Sequence, residues 1–392
     1  MPSASPSAWP LPKAAPERVG LCPKRLERVS DMIDKLVAER TIAGAITLIA
    51  RRNAIAHLRC FGMQDVEQGV AMREDALFRL YSMTKPITCV ATLMLYEACA
   101  FTLHDPVSKF IPEFAHVRVK VSRADGTTEL VPPRRPVTIH DLLTHTGGLS
   151  YELVYKAESL GLDNAGFQSA FCAVPLVSHP GEKWSYSASN EILGRIIEVV
   201  SGLPLDVFFA RNIFMPLGMV DTSFFVPPEK RHRFTAIYEH DDKACIVRKA
   251  SEDYPYVTKP VFLSGGGGLV GSTADYLRFC LMLLRNGEFE GTRLLSRKTV
   301  ELMRQDHLPP GHAAIEPFKF GYGYGVSVVR SLAEKQGISS VGEFGWGGAA
   351  CTNAWIDPSE DMISMVMLQL KPSKVPYIDH RVKVAFTQAI AD

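Results

Sequence analysis

Leu77-Phe78-Arg79-Leu80-Tyr81-Ser82-Met83-Thr84-Lys85-Pro86 is the stretch on which the reading of this chain turns. Its first half looks like a short strand, and the apolar run from Ile87 to Tyr96 follows at once. A serine that opens a helix shares a face with a lysine three positions on, so Ser82 and Lys85 are expected in contact. Serine is a poor nucleophile at neutral pH and needs a base beside it. A lysine whose charge is disfavoured by burial or by another cation can serve.

The tetrapeptide alone carries little weight, since roughly one S-x-x-K is expected by chance in such a chain. Taken by itself it reads as an N-cap serine followed by a solvated lysine. Its surroundings argue otherwise. Pro86 suits a first helical turn, and Ile87, Val90, Leu93 and Met94 recur at helical spacing. The helix is therefore expected to be buried, with its start at the end of a strand.

Outward from this stretch, apolar Leu26, Val29, Ile33, Leu36 and Val37 mark an amphipathic helix from Lys24 to Arg40. Strands are expected at Ala45–Arg51 and Ile55–Phe61, and later at Tyr324–Val329, Val341–Trp346, Thr352–Asp357 and Ile363–Leu370. Helices are expected at Thr138–His145, with Thr138 and Asp141 forming a capping box, at Glu191–Ser201 and at Leu205–Met215. Two more run from Thr273 to Asn286 and from about Tyr377 to the end. Strands thus cluster at both ends of the sequence and helices in the middle. The expected fold is α/β of the α+β kind, an antiparallel sheet flanked by helices with a mainly helical domain inserted. Its boundaries are an N-terminal arm over 1–20, a sheet domain over 21–104 and 265–392, and the helical insertion over 105–264. A cleft between the two parts would hold Ser82 at its wall.

Composition excludes several function classes. The 392 residues include 43 basic and 42 acidic side chains, for a formal charge of +1, so no footprint for nucleic acid or an anionic membrane is expected. The eight cysteines are scattered, with no C-x-x-C and no metal-like spacing, as reduced thiols in a cytoplasmic protein would be. The first residues form no recognisable secretory signal, and no apolar run approaches the length of a membrane span.

Five segments in order carry a resemblance. They are Leu77 to Lys85, Leu142-Leu143-Thr144-His145-Thr146-Gly147-Gly148-Leu149, Pro180-Gly181-Glu182-Lys183-Trp184-Ser185-Tyr186-Ser187, Ser264-Gly265-Gly266-Gly267-Gly268-Leu269, and Gly345-Trp346-Gly347-Gly348. Together they resemble the serine β-lactamase and penicillin-binding protein superfamily, and within it the class C-like carboxylesterases called family VIII. The likeness runs from about residue 20 to the end and implies the β-lactamase-like fold. It implies that Ser82 attacks an acyl carbon, that Lys85 holds or receives the proton, and that Tyr186 shuttles it to the leaving group. A phenol with a reference pKa near 10 serves only where a lysine such as Lys85 favours its anion. The N–H groups of Ser82 and Ala349 would form the oxyanion hole.

Two departures set the expected substrate. Where most penicillin-recognising enzymes carry a cation and a hydroxyl before the glycine, this chain has Trp346, Gly347 and Gly348, as in family VIII esterases. The grip on a substrate carboxylate is then lost, and an indole favours neutral, hydrophobic groups. The asparagine that class C enzymes place two residues after the tyrosine is Ala188 here, with Asn190 a conceivable substitute. Trp346, Gly347, Gly348 and Asn190 are thus the expected substrate-binding residues.

The expected activity is hydrolysis of short-chain or small hydrophobic carboxylic esters through a Ser82 acyl-enzyme, with at most weak β-lactam hydrolysis. Acyl transfer to an alcohol through the same intermediate is the nearest alternative, then amide hydrolysis of β-lactamase or D-amino-acid peptidase type. A non-enzymatic acyl-binding protein is less favoured, because serine, lysine and tyrosine are all present. No cofactor and no metal is implied, and the expected partner is a small-molecule ester. Oligomeric state is left open.

Other motifs weigh less. Gly266 to Gly271 satisfies G-x-G-x-x-G, but the chain after Asn286 is a turn where a dinucleotide fold needs a parallel strand. His140 and His145 lie about 140° apart on a helical wheel and cannot share a metal. His145 is expected to cap its helix or pack beneath the cleft. The chain also lacks G-x-S-x-G, which argues against an α/β-hydrolase.

Overall fold

A computed structural model describes residues 9–157, 160–243, 245–249, 251, 254–309, 311–314, 319–375 and 377–392. Its centre is an eight-stranded antiparallel sheet. Across it lie Gly321–Tyr322, Ser327–Val328, Phe344–Gly348, Thr352–Asp357, Met362–Met367, Gly44–Arg51, Ala54–Asp65 and Val70–Ala71. The two ends of the chain meet where Gly44–Arg51 pairs with Met362–Met367, Ile46 opposite Met367 and Arg51 opposite Met362.

Every residue of Gly44–Arg51, Thr352–Asp357 and Met362–Met367 is buried, because helices cover both faces. Alternation then sorts the side chains. Ile46, Leu48 and Ala50 join the core with Ile87, Val90 and Leu93 of the helix Thr84–Glu97. Ala45 and Ile49 face the other way, into a second core with Leu26, Val29 and Ile33 of the helix Pro23–Ala38 and Val382 and Phe386 of Ile378–Thr387. Thr273–Leu284 lines the first face through Leu277 and Leu281. Among the described residues, no helix is long and apolar enough to cross a membrane.

The segment 105–264 holds helices Ile139–Leu143, Asn164–Cys172, Ser189–Ser201 and Leu205–Phe209. It also holds two hairpins that the sequence reading does not anticipate, Val119–Ser122 with Thr128–Val131 and Tyr238–His240 with Ile246–Arg248. Leu142, Phe167 and Ile192 share the core of Ile46 and Leu48, so this segment and the sheet pack around common apolar side chains. Of the expected N-terminal arm, residues 1–8 lie outside the described residues. From Trp9 on, the chain is docked: Trp9 Nε1 donates to Glu74 at 2.8 Å, and Ile55 exchanges backbone hydrogen bonds with Pro12 and Ala14.

Candidate active site

The strand Leu77–Arg79 pairs with Val270–Ser272, and the Leu80 N–H to Leu269 carbonyl bond continues the pairing by one residue. The chain then turns. Tyr81 takes a left-handed conformation with φ of 45°, and a 3₁₀ turn over Tyr81–Met83 leads into the helix Thr84–Glu97. The sequence reading opens that helix at Ser82; in the structure Ser82 sits in the tight turn before it. A non-glycine residue in this conformation costs on the order of 1–2 kcal/mol. The Tyr81 ring is held edge-on to Tyr256 at 6.1 Å and under Lys371 Nζ at 4.5 Å.

Ser82 Oγ lies between two polar atoms. Lys85 Nζ donates to it at 3.2 Å and Tyr186 Oη at 2.6 Å. Tyr186 comes from the loop before the helix Ser189–Ser201, fixed at Ser185 N to the His145 carbonyl and at Ala188 N to the Ser150 carbonyl. Its ring stacks on Tyr151 at 5.5 Å and meets Trp346 at 5.7 Å and His145 at 5.1 Å. His145 is fully buried and held well below the usual histidine range by that burial and by Lys85. It hydrogen-bonds Ser187 Oγ at 3.0 Å, a neutral wall beneath the tyrosine.

Lys85 is fully buried and donates to the Gly266 carbonyl at 2.7 Å. Burial works against its charge, but Tyr186, Tyr151 and Glu191 outweigh that effect, and its pKa lies above the ordinary lysine value. Glu191 is the residue that sequence reasoning misses. It is buried, accepts from Ser264 Oγ at 2.8 Å and from the Gly265 and Gly266 amides, and so anchors the loop that carries the Lys85 acceptor. Burial raises its pKa while Lys85 opposes the rise. The signal available was an acid one position past Asn190 on an apolar helix.

Glycines let the backbones meet here. A methyl group at Gly266 would fall 2.5 Å from Glu191 Oε1, and one at Gly348 would fall 2.4 Å from the Leu80 carbonyl oxygen. The strand Phe344–Gly348 therefore runs directly against the Ser82 turn, with Ala349 next in the chain. Ser82, Tyr186, Trp346, Gly347, Gly348 and Ala349 all line one cavity of about 530 Å³.

Asn190 does not join them. It is 1 % exposed, packed behind the lysine, with Nδ2 3.4 Å from the Lys85 carbonyl and from Cys89 Sγ. Its place four residues after Tyr186 suggested a shared helical face, but the helix begins only at Ser189 and Tyr186 lies in the preceding loop. Gly267 and Gly268 of the glycine run line a neighbouring cavity beside Tyr81 and Tyr151, and His140 meets His307 edge-on rather than approaching His145. Among the described residues, no group of side chains could hold a metal ion.

A serine, a lysine and a tyrosine that meet beside the edge of an antiparallel sheet define a serine hydrolase of the β-lactamase-like fold. The chain belongs to the Beta-lactamase family, whose model matches residues 29–388. Protein Rv1367c of Mycobacterium tuberculosis (strain ATCC 25618 / H37Rv) is 34 % identical to it, over 84 % of this chain and 86 % of the relative. Esterase EstB of Burkholderia gladioli is 31 % identical over the same shares. Among solved structures, Simvastatin Synthase (LovD) from Aspergillus terreus shares the fold with a TM-score of 0.80, at 23 % identity over 94 % of this chain and 98 % of that one.

Proposed function

We propose that this protein hydrolyses small, neutral, hydrophobic carboxylic esters through an acyl-enzyme on Ser82. The observation that carries the proposal is the position of Ser82 Oγ, within hydrogen-bond reach of Tyr186 Oη and Lys85 Nζ at the mouth of an aromatic cavity. The upward pKa direction at Lys85 makes it the positive pole of the site, and Tyr186, 2.6 Å from Ser82 Oγ, is placed as the general base. Tyr186 takes the Ser82 proton as Oγ bonds to the acyl carbon. The N–H groups of Ser82 and Ala349 hold the oxyanion. The C–O bond breaks, and the departing alkoxide takes the proton from Tyr186. Water repeats the sequence on the acyl-enzyme and releases the acid.

Trp346 supports ester over β-lactam. By the family resemblance it stands in place of a carboxylate-binding cation, and it packs among Tyr322, Trp184 and Tyr186. EstB, an esterase by name and 31 % identical, supports the same reading. A second cavity of about 410 Å³ flanks the nucleophile turn at Tyr81, Tyr151 and Gly267 and favours one further reading, acyl transfer to an alcohol bound there. Eight unpaired cysteines fit a reducing, cytoplasmic setting.

The test is hydrolysis of p-nitrophenyl acyl esters and nitrocefin by wild type, Ser82→Ala, Lys85→Ala and Tyr186→Phe, with and without added alcohols. We expect ester turnover with little nitrocefin cleavage, and losses in kcat of about 10³-fold or more in each variant. Turnover that survives Ser82→Ala rejects the mechanism. Products dominated by new esters when alcohol is present would favour transfer over hydrolysis.

A further inference from the structure

The cavity that holds Ser82 does not end at its aromatic wall. It continues past Gly347 to Asn353, Trp355, Asp379 and His380. Those side chains belong to the other face of the sheet. Gly347 pairs with Asn353 and Gly345 with Trp355, whereas Trp346 pairs with Ala354, and successive strand residues point to opposite faces. The neighbouring strand Ser327–Val328 pairs with Phe344 and Gly345 and stops there, so 346–348 form a free edge among the described residues. A side chain at 347 would close the passage, since a methyl group there would lie 2.8 Å from Asn353 Nδ2.

The far end of this passage is polar. Asn353 Nδ2 donates to Asp379 Oδ2 at 2.8 Å. Glu343, also on the cavity wall, is engaged on both sides, by Lys335 at 3.1 Å and Lys383 at 2.5 Å. Among the described residues, Asp379 forms no ion pair, which leaves its carboxylate as the acceptor facing the cavity. The two lysines behind Glu343 disfavour a cation in the compartment, and Asp379 disfavours an anion. A neutral hydrogen-bond donor suits it.

Resting on the esterase reading, we propose that the preferred substrate is an ester with a hydroxyl at the end of an extended apolar chain. The chain crosses the sheet edge over Gly347, and the hydroxyl donates to Asp379. Asp379 is part-buried and accepts from Asn353 through one carboxylate oxygen, so the hydroxylated ester gains a charge-assisted hydrogen bond at the other oxygen that its alkyl analogue lacks.

The test compares p-nitrophenyl esters of ω-hydroxyalkanoic acids with those of the matching alkanoic acids, from butanoate to decanoate. A mirrored set compares acetates of α,ω-diols with acetates of the matching alkanols. At one chain length the hydroxylated member should have a kcat/KM about tenfold higher than its methyl counterpart. Asp379→Ala should bring the ratio to one or below, with kcat/KM falling more for the hydroxylated member than for its alkyl counterpart. Asp379→Asn, whose amide oxygen still accepts, should retain part of the preference. Asp379 also lies in the first turn of Ile378–Thr387, so melting curves accompany both variants. Gly347→Ala is the independent check: it should abolish the hydroxyl preference by shortening the chain that fits. Preference for the alkyl member at every length, or a preference unchanged in Asp379→Ala, overturns the inference and leaves the esterase reading standing. Absence of Ser82-dependent turnover on every ester overturns both.

Discussion

The Gly348 backbone passes so close to Leu80 that a Cβ at 348 would lie 2.4 Å from the Leu80 carbonyl oxygen. The same atom would lie 2.3 Å from Thr352 Oγ1. Two groups needed for the proposed reaction, the Ser82 turn and the end of the strand Phe344–Gly348, are held at backbone contact distance by the lack of a side chain. Gly348→Ala must separate them by a fraction of an ångström or more. We expect kcat on p-nitrophenyl butyrate to fall about 10²-fold, because small misplacements of reacting groups are costly, while the far-UV spectrum stays native. Wild-type kcat in this variant would show that the approach is not needed for catalysis.

Glu191 acts on the reaction through Lys85 and never touches the serine. Glu191→Gln keeps an acceptor for Ser264 Oγ but removes the negative charge near the ammonium. A drop in kcat of about tenfold with KM nearly constant is expected. Glu191→Ala also releases the Gly265–Gly266 loop, and kcat should fall further, by about 10²-fold. A change confined to thermal stability, with kcat intact, would assign Glu191 a packing role only.

His57 should make stability depend on pH. It is buried on the strand Ala54–Asp65, bonded to Thr47 Oγ1 at 2.7 Å, and burial followed by Arg59 lowers its pKa to about 4. The unfolded chain therefore binds more protons here between pH 6.5 and 4, so stability rises with pH across that window. The contribution is fully present above pH 6.5 and is lost as pH falls towards 4, by on the order of 3 kcal/mol. Urea melts of wild type and His57→Gln at steps across this range measure it. The two curves should converge at acid pH, and parallel curves would reject the assignment.

Much of the sheet was legible because its strands are short apolar runs bounded by turns. Thr352–Asp357 was read to the residue, and Gly44–Arg51 lies within one residue of its expected start. The hairpin Val119–Ser122 with Thr128–Val131 escaped because its second strand is largely exposed and shows no apolar alternation. At the site, Ser82, Lys85 and Tyr186 meet as the motif order suggests. Helical spacing misled between Tyr186 and Asn190, because the helix starts at Ser189 and Tyr186 lies in the loop before it. Glu191 and Asp379 were invisible for a different reason. Each gains its role from a backbone or cavity brought up by distant sequence, at Gly266 and Gly347.

The pairing of Gly44–Arg51 with Met362–Met367 has a consequence for how this molecule is made. At a ribosomal pace of 5–20 residues per second, the early strand waits roughly 15 to 60 s for its partner. Throughout that time Ile46, Leu48 and Ile49 have one neighbour, the adjoining strand Ala54–Asp65, and an open hydrogen-bonding edge on the other side. The nascent chain is thus exposed to edge-to-edge aggregation until its last strand emerges, and its yield should depend on chaperone supply more than its final stability would suggest.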